Sequence, residues 1–115
     1  MLTQRQKNRV FKLIRALRSG KYQQCQSSLR KGNKFCCLGV ACDVSKVGYW
    51  EHENVYCSKT ERGNGFLTKE VQNYYGFPCM AGIDAGKGGL NILNDSYNFS
   101  FEQIAQVIED WVVDQ

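Results

Sequence analysis

Wound at about 100° per residue, Leu2, Val10, Leu13, Ile14 and Leu17 fall on one arc, and Arg5, Arg9, Lys12 and Arg15 fall on the opposite one. This pattern predicts a basic amphipathic helix, capped by Thr3, running to about Ser19 and stopped by Gly20, a residue suited to the left-handed position after a helix. From Tyr22 to Cys37 the helical period disappears. Short runs at Ser28-Leu29-Arg30 and Lys34-Phe35-Cys36 flank Gly32-Asn33, which reads as a hairpin. Leu38 to Val47 predicts a short buried helix ended near Gly48, its small Gly39 and Ala41 allowing close approach. Tyr49-Trp50 and Val55-Tyr56-Cys57 read as a further strand or an ordered loop.

In the second half, Thr68 caps a helix over Lys69 to Tyr75, closed by Gly76 and the Phe77-Pro78 break. Residues 79–89 read as a flexible glycine-rich loop, and Leu90 to Leu93 leads into a turn at Asn94-Asp95-Ser96. Ser100 and Gln103 form a capping box for a last helix, with Phe101, Ile104, Ala105, Ile108, Trp111 and Val112 as its core stripe. There is no internal repeat and no linker. The expected architecture is one α+β domain over residues 1–115, with terminal helices packed on a small antiparallel sheet or hairpin.

Composition narrows the class. At 115 residues and 43% hydrophobic, the chain can bury a core without staples, its folded surface being roughly 6,400 Å² by size scaling. No run approaches the ~20 apolar residues of a membrane helix, and the polar opening Met1 to Lys7 lacks a secretory h-region, so a soluble intracellular protein is expected. Charge is uneven: residues 1–42 hold ten Lys/Arg and no acid, residues 43–115 five basic and eleven acidic side chains, making halves of +10 and −6 and a net +4. Such asymmetry points to a nucleic-acid surface or to two halves that attract each other.

Three constellations carry possible chemistry. Cys36 and Cys37 precede the helix at Leu38, where terminal amides favour a thiolate; with His52 as base and Asp95 or Asn94 as orienting group, the order looks like that of papain-like hydrolases. His52 follows Cys37 by only fifteen positions, unlike papain-like enzymes, and the alternative is a buried thiol pair and a surface histidine beside Glu51 and Glu53. The six cysteines show no C-x-x-C spacing and His52 is the single histidine, so no metal and no cofactor is expected. Arg5, Arg9, Lys12 and Arg15, with Lys7, Arg18 and Lys21 nearby, could neutralise phosphates. Yet no helix-turn-helix signature follows, aromatics are not interleaved with these cations, and the acids Glu102, Glu109, Asp110 and Asp114 of the last helix could instead cancel their field. Gly86-Lys87-Gly88 fails as a phosphate loop because Gly88 occupies the Ser/Thr position. Asn94 and Asp95 are binding candidates only if a cleft lies beside them; by default such residues bond neighbouring amides.

Ala16 to Tyr22, Phe35 to Asp43, and Leu93 to Ser96 followed by Ser100 to Ala105 together resemble a family of small uncharacterised proteins encoded by tailed bacteriophages and prophages. The resemblance implies a phage-encoded protein working in the cytoplasm of a bacterial host and carries over no catalytic residue. The first functional expectation is therefore non-catalytic binding to a host or phage protein, with Trp50, Tyr49, Tyr74 and Tyr75 as candidate exposed anchors. The second is a nucleic-acid-binding accessory protein using the basic helix, and the third a thiol hydrolase using Cys37. No membrane partner is expected, and the oligomeric state is open.

Overall fold

The computed structural model describes residues 1–115. Helix α1 (Gln4–Arg18) opens on a capping box in which Thr3 Oγ1 accepts the Gln6 N–H and Gln6 Oε1 accepts the Thr3 N–H. Past its end Gly20 takes φ +78°, and Val10, Leu13, Ile14 and Leu17 are buried, as the periodicity predicts. Helix α5 (Phe101–Val112) is built the same way from Ser100 and Gln103. These two apolar stripes face each other. The terminal helices meet more extensively than any other pair of elements, with α2 and α3 next along α1.

Helix α2 (Cys37–Ser45) is buried nearly all round, so it forms the centre of the core. Its close approach to the segment at Leu29 explains Gly39: a Cβ there would lie 1.9 Å from the Leu29 carbonyl oxygen. The helix ends at Lys46 in the left-handed region (φ 55°), two residues before Gly48, the expected terminator. Gly48 serves packing instead, since a Cβ on it would lie 1.8 Å from the Cys57 carbonyl oxygen.

Strands β1 (Gln23–Gln24), β2 (Arg30–Lys31) and β3 (Lys34–Phe35) form a small sheet of order β1-β3-β2. The β2–β3 hairpin turns at Gly32-Asn33 as predicted, whereas the parallel pairing of β1 with β3 has no local signal in the sequence. Strands β4 (Tyr49–His52) and β5 (Val55–Cys57) make a second hairpin. The two hairpins are tied where Leu29 N–H donates to Asn54 Oδ1 at 2.6 Å and Gly32 N–H to Glu53 Oε1 at 2.9 Å.

Helix α3 (Lys69–Tyr75) ends at Gly76 as expected. Two segments differ from expectation. Asn94 and Asp95 close a short helix, α4 (Leu90–Asp95), because Leu90 and Leu93, three residues apart, both bury in the core and hold the helical register. The glycine-rich loop is stapled rather than loose: Leu67 N–H donates to Met80 O, Leu90 N–H to Ala81 O, and Ala85 N–H to Gly88 O.

Buried residues from all five helices join one cluster, and the accessible surface is 6232 Å², close to the value expected for one compact chain of this mass. The fold is a single-core α+β domain with its small sheets at the side of a helical core. No helix is long and apolar enough to cross a membrane.

Candidate functional site

The thiols lie in the core. Cys36 caps α2, its Sγ accepting the Gly39 N–H at 3.4 Å, and burial pushes its thiol up to about 12 despite that amide. Cys37 is buried, donates through Sγ to Leu90 O at 3.4 Å, and is held well above the ordinary thiol range, first by burial and then by neighbouring Cys36 and Asp95. His52 stands on β4 with its side chain 66% exposed and Nε2 3.5 Å from Glu51 Oε1. Cys37 and His52 are therefore not brought together. The helix terminus expected to favour a thiolate is overruled by desolvation, and the thiol-hydrolase arrangement is not assembled.

Asn94 is likewise a structural bolt. Fully buried, it accepts from Gln24 Nε2 at 2.8 Å and Cys37 N–H at 3.3 Å, and donates to Cys25 O and Asp95 Oδ1, each at 2.8 Å. One amide thus joins α4, the end of β1 and the start of α2. Asp95 accepts the Ser27 N–H at 2.9 Å and lines, with Cys36 and Asn54, a polar cavity of about 240 Å³.

Three of the four aromatic residues expected as exposed anchors are engaged inside the protein. Trp50 packs edgewise between Phe35 and Tyr56, lies under the Arg30 guanidinium, and donates from Nε1 to Asp43 Oδ1 at 3.1 Å. Tyr75 is buried with its hydroxyl on Ala41 O, and Tyr74 lies half-buried under Arg9. Tyr49 alone of the four is exposed. Elsewhere Phe66 and Met80 are exposed and share one cavity of about 210 Å³.

The basic face of α1 divides in two. Arg9 is spent internally, donating from Nη1 to Tyr74 O at 2.9 Å with its guanidinium 4.2 Å from the Tyr74 ring centroid. Arg18 is spent on α5: its guanidinium donates to Glu102, to Glu109 at 2.7 Å and to Gln106 at 3.0 Å. Arg5 is exposed and lies outside the groove formed by the rest. Lys12 and Arg15, one turn apart, form one wall of that groove, about 420 Å³ in volume, and Lys21 and Lys46 complete its cationic lining. Lys21 arrives through the Gly20 turn and Lys46 through the left-handed cap of α2.

None of these four cations has a carboxylate within ion-pair distance. The single acid in the groove, Asp43, already accepts the Tyr22 hydroxyl at 2.6 Å and the Trp50 indole. Four cations less one carboxylate leave a local charge of +3. Such a concave site of net positive charge attracts anions at long range. Sequence reading missed Lys46 because it lies in the acidic half and reaches α1 only through the packing of α2. No cluster of three or more metal-binding side chains is present.

Residues 3–112 match the family model described as a domain of unknown function, DUF8296. No curated protein and no solved structure matches the chain.

Proposed function

The chain belongs to the DUF8296 family, and we propose that this member acts by binding rather than by catalysis, with the phosphate backbone of a nucleic acid held in the groove of Lys12, Arg15, Lys21 and Lys46. The observation that carries this reading is the convergence of four unpaired cations from three segments of chain onto one concavity. The cations with an internal role are engaged by protein groups, Arg18 by acids and Arg9 by the Tyr74 carbonyl and ring, whereas these four have no carboxylate partner. Phosphate oxygens supply the missing partner, and released counterions supply the driving force. The resemblance to phage-encoded proteins supports a setting in the bacterial cytoplasm.

Fluorescence anisotropy with labelled DNA over a range of salt tests the reading. Engagement of all four cations predicts a slope of log K against log salt of about −3.6 on duplex DNA and about −2.8 on a single strand. Replacing Lys12 or Lys46 by Ala lowers that slope by about one each. Affinity indifferent to salt, or unchanged in Lys12→Glu/Arg15→Glu, contradicts it.

A second reading, binding to a host or phage protein, is favoured by exposed Phe66 and Met80 at one shared cavity. Affinity isolation with and without nuclease separates the two: a stoichiometric, nuclease-resistant partner that is lost on Phe66→Ser supports the second.

A further inference from the structure

We infer that the occupant of the groove is a single strand, with one unstacked base set against Tyr22. This rests on the nucleic-acid reading above and narrows it.

The groove is chemically two-layered. Lys12, Arg15, Lys21 and Lys46 are exposed, whereas Tyr22 and Asp43, in the same lining, are half-buried. Phosphates therefore meet the cations first, and the Asp43 carboxylate repels any phosphate that goes deeper. A base suits that inner layer: it is uncharged, it carries N–H donors that a carboxylate accepts, and it has a flat face to lay on an aromatic ring.

Tyr22 is prepared for that contact. Its hydroxyl is pinned to Asp43, and its ring makes an edge contact with Phe35 at 5.1 Å and 89°, which occupies at most one of its two faces. A ring already fixed in place loses little freedom when a base stacks on it. In a duplex the bases are stacked inside and the backbone is convex, so neither Tyr22 nor the inner layer is reached. Along the chain the aromatics do not alternate with the cations; in space Tyr22 stands among four of them. Base stacking within a basic groove is the combination that single-strand binders use.

The test compares fluorescein-labelled oligo-dT of about 12 nucleotides with the dT·dA duplex of equal length, at salt of about 50 mM. The single strand is expected to bind about tenfold more tightly. Tyr22→Leu should lower the ratio of single-strand to duplex affinity about tenfold, while Tyr22→Phe, which keeps the ring but frees Asp43 in the same way, should retain most of that ratio. Thermal melts confirm that each variant is folded, and the wild-type comparison of the two DNAs stands without any variant. Equal affinity for both forms overturns the single-strand inference and leaves the groove intact as a phosphate site. Salt-independent binding, or none, overturns both.

Discussion

Arg18 and Glu109, ninety-one residues apart in sequence, meet across the α1–α5 interface with Nη1 donating to Oε1 at 2.7 Å. The same guanidinium reaches Glu102 and Gln106, so three residues along one face of α5 converge on one cation at the end of α1. This holds two acids of the last helix at one end of α1, and neither pairs with Lys12 or Arg15. Ion pairs between the basic and acidic halves are made by Arg18 alone.

Replacing Arg18 by Gln should therefore lower stability in a salt-sensitive way and leave nucleic-acid affinity nearly unchanged, because Arg18 lies outside the groove. Thermal melts at low and high salt, alongside DNA titration, check both halves. A loss of DNA binding as large as that of Lys12→Glu would mean that Arg18 is part of the binding face.

Asn94→Ala should cost about 3 kcal/mol or more, since it strands the buried Cys37 N–H and Cys25 carbonyl. Asn94→Asp should be no milder: it keeps the acceptor, removes the donor and sets a second carboxylate beside Asp95 at a fully buried position. Urea denaturation measures both. A change below about 1 kcal/mol for either would show that the bolt is dispensable.

The buried thiols predict a falling stability at alkaline pH. Cys36, Cys37 and Cys42 are all raised, chiefly by burial, so the folded state keeps protons that the unfolded chain gives up near pH 8.5. Stability contributed by the neutral thiols is whole below that value and declines above it. For Cys36 the decline continues to about 12, at about 1.4 kcal/mol per pH unit. Urea midpoints under reducing conditions at about pH 7.5 and 10 should differ accordingly. In the native state a thiol reagent should modify half-buried Cys79 first and leave Cys37 and Cys42 until unfolding. Rapid modification of Cys37 at neutral pH would reopen the hydrolase reading.

Local patterning alone determined the helices at the two termini, their caps Thr3 and Ser100 and their buried faces, the Gly32-Asn33 hairpin and the Lys69–Tyr75 helix. Each is decided within a few residues, by periodicity and by side chains that satisfy end amides. The α+β class follows from that succession of elements. Beyond the helix caps, what each polar residue does was decided by tertiary structure. Arg9, Arg18, Lys12 and Arg15 belong to the same basic helix, yet the first two are consumed by Tyr74 and by α5 while the others stay free. Asn94, read as a turn residue, became a fully bonded bolt, and Trp50, read as an exposed anchor, became half-buried under Arg30. Lys46 joined Lys12, and Tyr22 came to stand among cations, through the docking of α2 against α1. A charge or an amide is interpreted by the partners it meets, and here those partners lie tens of residues away, set by which apolar faces bury together.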